Sequence, residues 1–268
     1  MKAEDVKKMV QEKYGTIASQ NTILNQSGCC GPSACCGELE FSMIGDEYTS
    51  VKGHNPDADL GLGCGLPTEY AGIHPGDSVL DLGSGAGNDC FVARSIVGES
   101  GKVTGLDFTE EMISKAQANL AKTGFTNMEF VLGDIENMPL PENAFDVVIS
   151  NCVLNLVPDK QQAFSEIFRV LKPGGHFCIS DVVLAGDLPE KIKQEAEMYA
   201  GCVAGASQEP DYLQIIQNIG FTDLQIHKRR AITVPDDVLQ KYLSVEEVAE
   251  LKTKGAGIFS LTLSATKP

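Results

Sequence analysis

A doubly wound α/β domain with a parallel central sheet is what this sequence predicts, on three observations. Apolar runs alternate regularly with helical segments from Asp77 to about residue 186. The first run, Ser78-Val79-Leu80, leads into Asp81-Leu82-Gly83-Ser84-Gly85-Ala86-Gly87, where residues without a Cβ let the backbone approach a ligand closely. The second run, Lys102-Val103-Thr104-Gly105-Leu106-Asp107, ends in a carboxylate 24 residues after Gly83. A ribose-holding acid follows such a loop at roughly 20 residues.

The elements follow in order. Val6, Met9, Val10 and Ile17 stand at helical spacing and predict an amphipathic helix over 4–19. Residues 25–67 are rich in Gly, Cys and Pro and carry no period, which in a compact protein marks a functional or mobile loop. Strands are predicted at 77–82, 102–107, 127–132, 145–150 and 175–183, with helices at 88–97, 109–122 and 160–171. Thr109 before Glu110-Glu111 reads as a helix N-cap with acidic first-turn residues. Leu171-Lys172-Pro173-Gly174-Gly175 stops the third of these helices, since Pro cannot continue it. Runs such as Val147-Val148-Ile149 suit a parallel sheet buried on both faces.

After Asp187-Leu188-Pro189 the pattern changes, with helices at 189–200 and 209–219, a strand at 222–233, short helices over 236–252 and a strand at 257–266. The expected organisation is an N-terminal helix and cysteine-rich segment (1–67), a nucleoside-binding domain (68–186) and an α+β cap or substrate subdomain (187–268).

The formal charge of −16 argues against nucleic acid, whose binding depends on Lys and Arg neutralising phosphates. No apolar stretch approaches the roughly 20 residues that span a bilayer. The N-terminus, Met1 to Lys8, is charged with no apolar signal region behind it. A cytoplasmic chain without nucleic-acid or membrane partners is expected, and a monomer. An uncharged substrate would not be repelled by the acidic surface.

The loop opens with an acid and closes as Gly85-Ala86-Gly87-Asn88-Asp89. A second carboxylate would repel a pyrophosphate, whereas the amino group of a methionine moiety would welcome Asp81 or Asp89. Gly133-Asp134 at the end of the third strand fits an acceptor for the exocyclic amine of adenine. The ordered set Asp81, Gly83, Gly85, Gly87, Asp107, Asp134, then Leu171-Lys172-Pro173-Gly174-Gly175, resembles the class I S-adenosylmethionine-dependent methyltransferases, with their Rossmann-like sheet. Ser84, Phe108 and Ile135 adjoin these positions, and with Asn151 after the fourth strand they complete the expected cofactor site.

Nine cysteines remain to be explained. In a cytosolic protein, thiols bind metals or do redox chemistry more often than they form a disulfide framework. Cys90, on a helix, and Cys178, inside a strand, read as core. Cys152 follows the fourth strand, where open α/β sheets bind ligands, while Cys64 and Cys202 are bordered by glycines in Gly63-Cys64-Gly65 and Gly201-Cys202. Together they suggest a soft electrophile held by three thiolates. His54 reads as a loop residue.

The stretches Leu62-Gly63-Cys64-Gly65, Ser150-Asn151-Cys152-Val153-Leu154-Asn155-Leu156-Val157-Pro158-Asp159-Lys160 and Gly201-Cys202-Val203-Ala204-Gly205 look like the marker segments of the arsenite methyltransferases. That resemblance, to the microbial branch, covers nearly the whole chain. It implies that Cys64, Cys152 and Cys202 bind trivalent arsenic and that S-adenosylmethionine methylates it. It further implies that an N-terminal cysteine exchanges disulfides with Cys64, reset by a thioredoxin-like or glutathione reductant. Cys29, Cys30, Cys35 and Cys36 are the candidates, with Cys36 favoured for its nearness along the chain and Cys30 retained. A zinc site is the alternative for these four, although adjacent cysteines fit the usual Cys-x₂₋₄-Cys spacing poorly. For the whole chain, the alternatives are a small-molecule C- or O-methyltransferase of the quinone or sterol type, and a thiol-rich metalloid binder.

Overall fold

Seven strands build a single sheet, six running one way and the last in sequence running the other, in the computed structural model, which describes residues 3–19, 48–186, 205–232, 239–240, 243–253 and 257–268. The elements are α1 (Ala3–Ser19), α2 (Pro67–Tyr70), β1 (Ser78–Leu82), α3 (Asn88–Val97), β2 (Lys102–Asp107), α4 (Glu110–Ala121), β3 (Met128–Leu132), β4 (Phe145–Asn151), α5 (Lys160–Val170), β5 (Leu171–Ala185), α6 (Glu209–Ile219), β6 (Thr222–Ile232), α7 (Val245–Thr253) and β7 (Gly257–Thr266). Strand order is β3-β2-β1-β4-β5-β7-β6. Order reverses between β1 and β4, so a crevice opens at their carboxyl ends, where sheets of this kind place ligands. Among the described residues, no helix is long and apolar enough to cross a membrane.

Apolar side chains on both faces explain the layers. Phe164, Ile167, Phe177 and Tyr212 pack on one face beneath α5 and α6, all fully buried. Val79, Phe91, Val97 and Ile149 pack on the other, beneath α3 and α4. Each such side chain contributes about 1.5–3 kcal/mol by leaving water. The Phe164 ring lies 5.7 Å from Phe177 and 5.5 Å from Tyr212.

The expected strands and helices of the central region are all present, with two local differences. The helix preceding β5 ends at Val170 and the strand begins at Leu171, so Pro173 and Gly174 lie within the strand, Gly174 at φ 80°. Parallel pairing with β4 shifts register between Phe145 and Val147, which accommodates them. Thr109 occupies the N-cap position of α4, yet its side chain caps no helix amide. Asp107 Oδ1 instead accepts the Thr109 N–H at 2.9 Å. β6 and β7, from the stretch expected as a cap, extend the same sheet, β7 pairing with β5 from His176 to Ala185. The expected cysteine-rich loop, including Cys29, Cys30, Cys35 and Cys36, and the helix over 189–200 with nearby Cys202 lie outside the described residues.

Candidate active site

The register of the sheet sets the site. Leu82 of β1 pairs with Leu106 on one side and Ser150 on the other, and Asn151 pairs with Ser180. Gly83, Asp107, Asn151 and Ser180 therefore emerge at one edge. A cleft opens there, and all nine residues expected for a cofactor line it: Asp81, Gly83, Ser84, Gly85, Asp107, Phe108, Asp134, Ile135 and Asn151. Cys152 lines it too, as do Lys7, Val10 and Tyr14 of α1.

Glycine is required where the loop turns. Gly83 has φ 66°, and a Cβ there would meet Val153 Cγ2 at 2.4 Å. Asp107 Oδ2 accepts the Gly85 N–H at 2.9 Å, so the acid ending β2 holds the loop that leaves β1.

Three carboxylates crowd this crevice. Asp81, Asp89 and Asp107 are all buried. Burial and the neighbouring Asp89 push Asp81 well above the usual carboxylate range. Burial raises Asp89 to about 6, against hydrogen bonds from Tyr48 and Asn151 that favour its charge. The basic side chain of the lining, Lys7, is engaged elsewhere, by Asp134 at 2.6 Å and by Glu136. Ser84 Oγ and Asn88 Oδ1, also in the lining, are buried without a hydrogen-bond partner among the described residues. Buried acids and orphaned polar atoms suit a ligand that carries a cation and several hydroxyls, as S-adenosylmethionine does.

Asn151 joins this cleft to the cysteines. Its Oδ1 accepts the Cys64 N–H at 3.0 Å, and its Nδ2 donates to the Gly65 carbonyl at 2.8 Å and the Tyr48 hydroxyl at 2.7 Å. Tyr48 in turn donates to Asp89 at 2.8 Å. Close approach again demands glycine, because a Cβ on Gly63 would stand 2.6 Å from Asn151 Nδ2. Cys64 and Cys152 share one buried apolar cluster with Val182, Leu184 and Ile258.

The backbone at Cys152 is left-handed, with φ 62°, a conformation costing roughly 1–2 kcal/mol for a residue with a Cβ. Its N–H donates to the Ser180 carbonyl at 2.7 Å, which keeps the turn in place. Such strain gathers at functional sites.

The two cysteines expected as core are core. Cys90 lies against Asp81 at 3.2 Å, and burial with that neighbour pushes its thiol well up. Burial pushes Cys178 to about 12. Neither supplies thiolate near neutral pH. His54 pairs with Asp59 at 2.9 Å and stacks on Tyr48.

Residues 73–220 match the family described as Methyltransferase domain. An arsenite methyltransferase from Halobacterium salinarum is 40% identical over 99% of this chain and 67% of its own length. The chain belongs to the arsenite methyltransferase family. It spans between about half and two thirds of the length of the curated members it matches. The structure of an arsenic(III) S-adenosylmethionine methyltransferase from Chlamydomonas reinhardtii superposes with a TM-score of 0.63 at 35% identity, covering 82% of this chain and 70% of that one. A Lactococcus lactis demethylmenaquinone methyltransferase is 45% identical, but over only 39% of this chain and 42% of its own. Residues 73–220 thus carry the family's methyltransferase domain. The quinone likeness is confined to less of the chain.

Tyr48 was not legible as a site residue. It comes from an aperiodic stretch, and nothing in its neighbours marks it.

Proposed function

We propose that the protein methylates trivalent arsenic held by the thiolates of Cys64, Cys152 and Cys202, as part of arsenic detoxification. One observation carries the reading: Asn151, the residue before Cys152, ties the Cys64 loop to the acid-lined cleft. Cys202 lies outside the described residues and enters this reading through the resemblance of its segment to the family's marker sequence.

Arsenous acid is neutral, so it enters past acidic groups without repulsion. Each thiol that attaches gives its proton to a departing hydroxyl, which leaves as water. S-adenosylmethionine, when bound, supplies an electrophilic methyl group on a sulfonium. Asp107 would hold its ribose, Asp81 and Asp89 its amino group, and Asp134 its adenine once Lys7 yields. By fixing both cysteine loops through Asn151, the protein orients the arsenic lone pair toward the cleft, a positioning effect worth up to about 7–11 kcal/mol. Arsenic passes from trivalent to pentavalent on methylation. Two cysteine thiols, Cys64 and one of Cys29, Cys30, Cys35 or Cys36, return two electrons by closing to a disulfide and releasing two protons. A thioredoxin-like or glutathione reductant reopens it.

Incubation with arsenite, a thiol and methyl-labelled S-adenosylmethionine, followed by arsenic speciation, tests the reading. Labelled methylarsenicals are expected. Their absence, with label instead transferred to a quinone, would overturn it.

Two further results are expected. Asp107→Ala should weaken cofactor binding by about 2 kcal/mol, some thirtyfold in Kd, because charge-assisted hydrogen bonds are lost. Calorimetry showing parent affinity would remove Asp107 from the site. Cofactor affinity should also depend on pH. Asp89 in the free protein titrates at about 6, so below that pH a cationic ligand must first displace its proton. Affinity should therefore fall as pH drops through about 6, approaching tenfold per pH unit on the acid side. A flat profile between pH 5 and 7 would place the amino group elsewhere.

A further inference from the structure

Asp181 is a buried acid that the proposed chemistry leaves unused. It lies on β5 one residue past Ser180, whose carbonyl holds Cys152, and is 1% exposed. Three donors converge on its carboxylate: the Val182 N–H at 3.0 Å, the Tyr212 hydroxyl at 3.1 Å and the backbone N–H of Asn155. Burial raises it to about 7 despite those donors and the nearby Lys160 ammonium.

The partners connect two sides of the thiol pocket. Asn155 closes the turn that begins at Cys152, and its carbonyl is the surface on which Gly205 rests. Lys160 Nζ reaches the same carbonyl at 3.4 Å. Tyr212, on α6, is fully buried, and its phenol is pushed well up by burial, by Asp181 and also by Cys64 and Cys152, so it lies within electrostatic range of both sulfurs. A charged group taken out of water is retained only when its hydrogen bonds are satisfied. A neutral side chain would fill this space at less cost. That a carboxylate stands here is therefore informative.

We propose that Asp181 is a positioning residue for the thiol pocket, its carboxylate bracing the Cys152–Asn155 turn on one side and the Tyr212 hydroxyl on the other. The inference rests on the arsenic reading given above. A turn carrying a left-handed cysteine is held only if its surroundings over-determine it. The Ser180 carbonyl fixes the turn at its start and Asp181 fixes it at its end. Grip on arsenic by several sulfurs at once tolerates little displacement of any one of them.

Asp181→Asn keeps the shape but offers an NH₂ where one donor needs an acceptor. The arsenite KM should rise about tenfold or more while cofactor affinity and melting temperature hold near the parent values, the scale following from hydrogen bonds to a charged group. The parent is assayed alongside. If the parent makes no methylarsenicals, the arsenic reading itself fails. If the parent does and Asp181→Asn matches it in KM and kcat, only this inference falls. Equal loss of arsenite and cofactor binding with a lowered melting temperature would also overturn it, as the mark of a general structural role. Should Asp181→Asn not fold, Tyr212→Phe carries the test, since it removes one hydroxyl and leaves the ring. A severalfold rise in arsenite KM at unchanged cofactor affinity supports the proposal, and no change overturns it.

Discussion

Cys152→Ser is expected to abolish methylation of both arsenite and monomethylated trivalent arsenic, with cofactor affinity left near the parent value. Serine fills the space and tolerates the same turn, so the fold should survive. Its hard oxygen, however, holds a soft acceptor far more weakly than thiolate does. Cys202→Ser should behave in the same way. A monomethyl arsenical has one exchangeable position fewer than arsenite, so two thiolates suffice to hold it, provided that they are these two. Arsenic speciation on each variant, with calorimetry for the cofactor, gives the answer. Near-normal turnover of the monomethyl substrate by either variant would sink the ligand assignment.

Cys64→Ser should separate the two substrates. Arsenite turnover is expected to fall roughly 100-fold or more, the scale set by losing near-attack geometry, while monomethyl arsenite retains activity in a single turnover, which draws no electrons from Cys64. The side chain of Cys64 sits on a loop clamped by Asn151 and Ser260, the latter donating to its carbonyl at 2.7 Å. Those bonds are to backbone and survive the substitution. A difference between substrates therefore reports sulfur chemistry and not loop collapse. Equal loss on both would give Cys64 the same role as Cys152.

The sheet was legible because buried parallel strands leave continuous apolar runs, and Val147-Val148-Ile149 could hardly be anything else. The acids Asp81 and Asp107 were legible for a related reason: each ends or interrupts such a run beside glycines. Tyr48 differs, and so does the tie that Asn151, itself expected in the cofactor site, makes to the cysteine loop. Both depend on contact across the fold, Tyr48 reaching Asp89 from a stretch with no period and Asn151 reaching back to Cys64. Local pattern carries no trace of either contact. Asp181 did leave a signal, a carboxylate in the midst of Phe177-Cys178-Ile179-Ser180 and Val182-Val183-Leu184, where a strand buried on both faces has no ordinary use for one. Thr109 shows the converse, since its position promised a side-chain cap that the structure does not make.

β7 lies between β5 and β6, although the ribosome delivers it after both. A nascent chain that has already folded its parallel half carries the long β5 as an open apolar edge, and such edges template association with other chains. Closing it requires residues 257–266 to cross back over everything made since Ala185, a contact that is slow to form because of its separation along the chain. Damage to this strand should therefore be visible first in soluble yield during expression, before any assay of the finished enzyme could register it.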